Sequence, residues 1–261
     1  SVQALQSGNW LESAIDSVLF NGAYPAVFDR KLNVKDWYNG YITTYIERDV
    51  RQITNVRYID EFQKFLGLCA GNTGQLFDST RLGNDCGVDH KTIKSWLTTL
   101  ETSYLVFRLR PHSANFRKRL VKTPKIYFYD TGLACRLLGI ENSKQLQTHP
   151  MRGYLFENWV ISEMLKSRYN KGDRSNLYFW RNHKGMEVDL IADHSDTLLP
   201  VEIKSGATVA SDWVSNIQKW SELAGSMSEK PWIVYGGDRN QRRSGVEIIS
   251  WKDIADLIKK V

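Results

Sequence analysis

The stretch Gly185-Met186-Glu187-Val188-Asp189-Leu190-Ile191, followed by Leu199-Pro200-Val201-Glu202-Ile203-Lys204-Ser205, decides how this chain reads. Each half alternates with the period of a β-strand. Val188 and Leu190 fall on one face with Asp189 on the other, while Val201 and Ile203 face inward and Glu202 and Lys204 project together. As hairpin neighbours, the two strands bring Asp189, Glu202 and Lys204 to one patch. Two carboxylates with a backbone carbonyl make a hard oxygen site suited to Mg²⁺ or Mn²⁺. Such an ion lowers the pKa of a bound water and neutralises charge on a phosphoryl oxygen. A lysine beside it can hold the attacking water or stabilise the pentavalent phosphate. The same alternation also fits a plain strand pair with solvent-facing charges, which half-exposed strands commonly carry.

Working outward, residues 126–261 alternate helix and strand. Thr131 to Gly139 reads as helix, Glu141 to Pro150 as a linker, and Phe156-Glu157-Asn158-Trp159-Val160-Ile161-Ser162-Glu163 as helix again. Trp213, Ile217 and Trp220 mark an amphipathic helix, and Trp232-Ile233-Val234-Tyr235 and Glu247-Ile248-Ile249 mark short apolar strands. Helix and strand alternating around a mixed sheet define an α/β domain.

Residues 55–125 read as a winged helix-turn-helix. Phe62, Phe65, Leu66 and Cys69 make one helix, ended by Gly71-Asn72-Thr73-Gly74; Ser79 to Asp85 makes a second, and Gly87 turns the chain. Asp89 can cap a third helix, whose Ile93, Trp96, Leu97 and Leu100 fall at i, i+3, i+4 and i+7. His90, Lys91, Lys94 and Ser95 then face outward. Tyr104-Leu105-Val106-Phe107-Arg108-Leu109 and Lys125-Ile126-Tyr127-Phe128-Tyr129 are strands flanking a basic segment, as a wing would be. The third helix of such a module enters the major groove of DNA. Lys91, Lys94, Arg117, Lys118 and Arg119 are the candidate DNA contacts, within a wider cluster that adds Arg108, Arg110, Lys122 and Lys125. The alternative readings are a solvated basic hairpin and a protein-interaction or spacer module.

Residues 1–54 read as helical. Trp10, Ile15, Val18 and Leu19 form a stripe that Asn21-Gly22 breaks. A second helix runs from about Val34 to Ile53, and its Trp37, Tyr41 and Tyr45 recur every four residues, the pattern of a core-facing stripe. The 261 residues are 42% hydrophobic with nine tryptophans, enough for genuine cores. Absence of a long apolar run predicts no membrane span, and absence of a basic-then-apolar leader predicts no signal peptide. Cys69, Cys86 and Cys135, odd in number and far apart, read as the reduced thiols of a cytoplasmic protein. The five histidines show no ligand pair at helical spacing. Lys plus Arg outnumber Asp plus Glu by 35 to 29, a net charge of +6. Nothing matches the phosphate loop Gly-x4-Gly-Lys-Ser/Thr; Gly83 to Thr92 carries glycines and Lys91-Thr92 at the wrong spacing.

Gly153-Tyr154-Leu155-Phe156-Glu157, Tyr178-Phe179-Trp180-Arg181, Gly185-Met186-Glu187-Val188-Asp189 and Val201-Glu202-Ile203-Lys204-Ser205-Gly206 together resemble the PD-(D/E)xK nuclease superfamily, to which archaeal Holliday-junction resolvases and restriction endonucleases belong. That resemblance implies a restriction-endonuclease-like mixed α/β domain. In it Glu157 matches the acid of the first core helix, Asp189 and Glu202 the metal-binding acids, and Lys204 the motif lysine. The chain as a whole also resembles the C-terminal (DUF4143) region of a bacterial and archaeal family of AAA-type ATPases. Asn21-Gly22-Ala23-Tyr24-Pro25, Tyr45-Ile46-Glu47-Arg48-Asp49-Val50, Lys118-Arg119-Leu120-Val121-Lys122 and Tyr127-Phe128-Tyr129-Asp130-Thr131-Gly132-Leu133 are phrases of that family. By that resemblance an ATPase domain would precede residue 1, or act as a separate partner.

The resulting expectation is an α/β chain in three parts: helical segment 1–54, winged helix-turn-helix 55–125 and nuclease-like domain 126–261. Two functions fit. One is a Mg²⁺- or Mn²⁺-dependent DNA nuclease with Glu157, Asp189, Glu202 and Lys204 as catalytic residues. The other is a catalytically inactive adaptor that keeps the fold as a scaffold for DNA or protein.

Overall fold

The computed structural model describes residues 14–30, 32–46, 59–113 and 121–261. These fall into two compact units. One lies within Asp16–Arg108 and Lys125–Asn158; the other lies within Leu109–Pro124 and Trp159–Val261, with Ala14 and Ile15 added.

The first unit is mostly helical. Helix α1 (Ile15–Asn21) buries Val18 and Leu19 and stops at Gly22, whose φ of +69° is open to glycine. Short α2 (Pro25–Asp29) follows, then α3 (Val34–Tyr41), capped by the Asn33 side chain and continued as a π-helical turn, Ile42–Ile46. Helices α4 (Ile59–Gly71), α5 (Ser79–Cys86) and α6 (His90–Thr102) succeed one another as their apolar spacing predicts. Asp78 and Asp89 cap α5 and α6 by accepting backbone N–H bonds, and Gly87 turns the chain in the left-handed region. Phe62 and Phe65 of α4 meet Trp96 of α6 at ring-centroid distances of 5.4 and 5.6 Å. The first half of strand β1 (Val106–Pro111), strand β2 (Lys125–Phe128), α7 (Thr131–Leu137), α8 (Ser143–Leu146) and the first turns of α9 (Arg152–Asn170) complete the unit. A three-helix run followed by strands agrees with the expected order of elements. Trp10, Tyr45, the end of the expected second helix and Arg117–Arg119 lie outside the residues described in full.

The aromatic stripe on α3 needs correcting. Trp37 and Tyr41 are half-buried and stack on one another at 5.1 Å, whereas Tyr38, off that stripe, is 1% exposed. The inward face is set by a polar node. The Tyr38 hydroxyl donates to Asp130 Oδ1 at 2.6 Å, and the same carboxylate accepts from Ala23 N at 2.6 Å and Leu133 N at 2.9 Å. A Cβ on Gly22 or Gly132 would collide with the Tyr38 hydroxyl, so both glycines are required by close approach. Burial first, and then the Asp130 charge, raise the Tyr38 phenol above its ordinary pKa, which keeps it a donor.

The second unit is a mixed sheet with helices. Its strands run in the order β1, β3 (Leu177–Arg181), β4 (Glu187–Asp193), β5 (Leu198–Lys204), β6 (Trp232–Tyr235), β8 (Val246–Ser250) and β7 (Gln241–Arg243). Pairings β1–β3, β5–β6 and β6–β8 are parallel; β3–β4, β4–β5 and β7–β8 are antiparallel. Helix α10 (Ser211–Ala224) lays Val214 and Ile217 against Ile233, Tyr235, Val246 and Ile248. Its Trp220 joins Trp180, Val188, Ile191 and Leu198, and Trp180 and Trp220 meet edge to face at 6.3 Å. The chain closes with α11 (Ile254–Ile258). Among the described residues no helix is long and apolar enough to cross a membrane.

Asp130→Ala removes the charged acceptor of the Tyr38, Ala23 and Leu133 bonds. It is expected to destabilise the protein by about 3 kcal/mol or more, and Tyr38→Phe by about 1–2 kcal/mol, since hydrogen bonds to charged groups contribute about 1.5–3 kcal/mol each. Urea unfolding followed by circular dichroism measures both.

Candidate functional site

Strands β4 and β5 pair with Leu190 opposite Val201 and Ile191 opposite Pro200, and Asp189 and Glu202 are the residues just beyond the Leu190–Val201 pair on their strands. Directly opposed residues of an antiparallel pair share a face. Asp189 Oδ2 accepts the Ile203 backbone N–H at 2.8 Å, which orients the carboxylate. Lys204 Nζ lies 2.6 Å from Glu202 Oε1 and 3.4 Å from Asp189 Oδ2. The structure therefore brings Asp189, Glu202 and Lys204 into one ion-paired group.

These acids are not the surface charges that simple alternation allows. β4 and β5 are interior strands, and Asp189 is 8% and Glu202 5% exposed, while Lys204 sits at the margin of the patch with 29% of its side chain exposed. Taking a carboxylate out of water has a cost of several kcal/mol unless it is paired and hydrogen-bonded. Here one ammonium lies between two carboxylates, so these three groups sum to one negative charge. Among the described residues no set of three His, Cys, Asp or Glu side chains converges. Asp189 and Glu202 nevertheless offer hard oxygen donors, and Mg²⁺ commonly takes only one or two protein carboxylates, completing its shell with water and phosphate.

Glu157 has a different local role. It lies on α9, 8% exposed, and accepts from Lys125 Nζ at 2.9 Å and Tyr127 OH at 2.5 Å. Lys125 and Tyr127 are two apart on β2 and so share a face. That spacing was the available signal for this cluster, but only the fold shows that an acid meets it. Lys125 must accordingly be withdrawn from the expected basic surface, because it is 3% exposed and bonded to Glu157. Next to Glu157, Asn158 receives the Phe128 N–H at 2.7 Å, donates to Phe128 O at 2.8 Å and accepts from Thr73 at 2.6 Å.

Among the expected DNA contacts, Lys91 and Lys94 are exposed on α6 beside His90 and Ser95, opposite buried Ile93 and Trp96. Arg117, Lys118 and Arg119 lie outside the described residues. The residues flanking them are anchored to β3: His112 N donates to Phe179 O at 2.7 Å and Val121 N to Arg181 O at 3.1 Å. Arg108 is exposed but engaged, donating to both Glu101 oxygens at 2.7 and 2.6 Å.

The family model described as a domain of unknown function, DUF8612, matches residues 12–144. A second, described as domain of unknown function DUF4143, matches residues 152–254. Two uncharacterized proteins, from Mycobacterium bovis and Mycobacterium tuberculosis, are each 32% identical to this chain over 198 residues. The aligned part is 75% of this chain and 44% of each relative, so the chain spans less than half of their length.

Glu157→Ala removes the charge partner of a lysine whose side chain is 4% exposed. A loss of about 3 kcal/mol or more is expected, as for one partner of a buried ion pair, against about 1 kcal/mol for Tyr127→Phe. Thermal unfolding of the two variants measures the difference.

Proposed function

The chain belongs to the family of the domain of unknown function DUF8612, and from that premise and the carboxylate–lysine geometry we propose that it binds DNA and hydrolyses its phosphodiester bonds with the help of a divalent metal ion. The observation that carries the reading is the β4–β5 register, which supports one shared site for Asp189, Glu202 and Lys204. Two acids and a lysine on adjoining strands, with both acids buried, fit the acid and Glu-x-Lys positions of the PD-(D/E)xK pattern, with Val188 standing where the pattern has its proline.

Mg²⁺ or Mn²⁺ held by Asp189 and Glu202 would supply an activated water and neutralise charge on the phosphoryl oxygen. The chain's own groups do the rest. The Ile203 N–H fixes the Asp189 carboxylate against rotation. Glu202 and Asp189 hold the Lys204 ammonium at the margin of the patch, where it can orient the attacking water or meet charge developing on phosphorus. Burial of the acids lowers the local dielectric and strengthens each of these interactions. On α6, exposed Lys91 and Lys94 make phosphate contacts in this reading, as the outward face of a winged helix-turn-helix would, and Arg117, Lys118 and Arg119 add to them. An AAA-type ATPase, in cis or in trans, is the proposed partner. It rests on the family resemblance and on the greater length of the relatives.

One observation favours the adaptor reading. Glu157, the helix acid that the resemblance would place in catalysis, is engaged by Lys125 and Tyr127. In that reading the nuclease fold is a scaffold and Lys204 serves only to neutralise buried acids.

Cleavage of supercoiled, linear, single-stranded and branched DNA with Mg²⁺ or Mn²⁺ separates the two. Asp189→Ala and Glu202→Ala are expected to abolish cleavage, and Lys204→Ala to raise the barrier by about 2.7–4 kcal/mol, comparable to losing a preorganised electrostatic group. Cleavage that survives Asp189→Ala in a preparation free of host nuclease overturns the assignment. For binding, Lys91→Ala with Lys94→Ala is expected to lower the log–log salt slope by about 1.8, at about 0.9 per phosphate, equally for all sequences. An unchanged slope moves the DNA contact to another surface.

A further inference from the structure

The strand directions bring two further loops to the end of the sheet that carries Lys204. β5 and β6 are parallel, with Lys204 beside Tyr235, so the loop after β6 begins next to Lys204. β4 runs opposite to β5, so the β3–β4 turn lies at this same end. Ligands of α/β sheets bind outside the carboxyl ends of parallel strands.

Both loops are braced by hydrogen bonds, and each presents an exposed cation. In the loop after β6, Arg239 is held through its backbone: its N–H donates to Tyr235 Oη at 3.1 Å, and that hydroxyl donates back to Arg239 O at 2.7 Å. Gly236 N donates to Lys204 O at 3.0 Å and Gly206 O at 3.1 Å, and a Cβ on Gly236 would collide with Ser205 O. Asn240 ties the far side of the loop to Ser250 N at 2.7 Å and Asp253 at 2.8 Å. In the β3–β4 turn, Asn182 is 3% exposed, and its Oδ1 accepts from Lys184 N at 2.9 Å and Met186 N at 3.1 Å. The neighbouring cations are paired, Lys252 with Asp238 at 2.8 Å and Arg181 with Glu187 at 3.2 Å. Arg239 and Lys184 are exposed, and among the described residues neither charged head meets a carboxylate.

We propose that Arg239 and Lys184 form a phosphate track across this end of the sheet, holding the backbone of a DNA strand on both sides of the Asp189–Glu202–Lys204 patch. The inference deepens the nuclease reading and rests on it. From the β3–β4 turn to β6 is about two to two and a half strand spacings, about 10–12 Å. That span reaches more than one phosphate of a strand, whose charges recur every ~3.4 Å of helix axis. Arginine suits one end of such a track because its planar fork grips phosphate oxygens in pairs. A braced loop also adds little ordering cost on binding.

The test is fluorescence anisotropy of a fluorescein-labelled DNA duplex in EDTA over a salt series, with a parallel Mg²⁺ cleavage arm. Arg239→Gln and Lys184→Gln are each expected to lower the log–log slope by about 0.9 and to weaken binding about eightfold at about 0.1 M salt; the double variant should lose about 1.8. Lys171→Gln, on the segment that enters β3 from the opposite end, should change neither. An unchanged slope in the double variant, an equal loss in Lys171→Gln, or no duplex binding by the wild type overturns the track. Inorganic phosphate at the millimolar level should not displace the duplex; displacement would identify a free-phosphate site and overturn the track as well. The cleavage arm keeps the two claims apart. Slope losses without any wild-type cleavage leave the track standing and sink the nuclease reading, while cleavage with unchanged slopes sinks the track alone.

Discussion

The candidate chemistry depends on one constraint, the register of β4 against β5. Leu190 opposite Val201 places Asp189 and Glu202 just beyond the same pair, and a slip of a single residue would turn one acid to the other side of the sheet. The register is protected by what lies around it. Val188, Ile191 and Leu198 pack with Trp180 and Trp220, so a slipped strand would lose this packing and part the Lys204 ion pairs. Pro200 sits in an interior strand, where the missing N–H is usually excluded. The ladder to β6 begins one residue later, at Val201 opposite Trp232.

A second pair of buried acids organises the helical unit. Asp130 joins Ala23, Tyr38 and Leu133, and Glu157 joins Lys125 and Tyr127. Two of the phrases shared with the ATPase-associated family, Asn21-Gly22-Ala23-Tyr24-Pro25 and Tyr127-Phe128-Tyr129-Asp130-Thr131-Gly132-Leu133, meet at the Asp130 carboxylate. Their glycines are explained by close approach to Tyr38 and their aspartate by the donors it satisfies. These motifs therefore have a packing function, which a buried polar network performs only when its donors and acceptors are matched.

Charge is distributed in a consistent way in the sheet unit. The acids Asp189 and Glu202 are inside, with Lys204 at the margin, and exposed cations occupy braced loops at the same end. An inward negative site with outward positive flanks is the arrangement that the proposed nuclease reading calls for. It also fits the modest net charge of +6, because the positive charge acts by placement.

Much of this was legible in the sequence because it is local. Period-two alternation located β4 and β5, period-3.6 spacing located α4 and α6, and Asp89 and Gly87 punctuated them. Asp189, Glu202 and Lys204 could be grouped because they lie on neighbouring strands only thirteen to fifteen residues apart. What local pattern could not carry was depth and long-range pairing. Whether an alternating strand is half-exposed or interior depends on what covers its second face, so the burial of Asp189 and Glu202 was decided by tertiary structure. Likewise Trp37 and Tyr41 have the spacing of a core stripe, yet Tyr38 is the residue buried, because Asp130, 92 positions away, supplies its partner. Lys125 looked like surface charge until α9 brought Glu157 to it across 32 positions. The sequence by itself determined the elements and the chemistry they bear; tertiary structure alone decided which charges are inside, because burial and partnership arise between segments that the chain holds far apart.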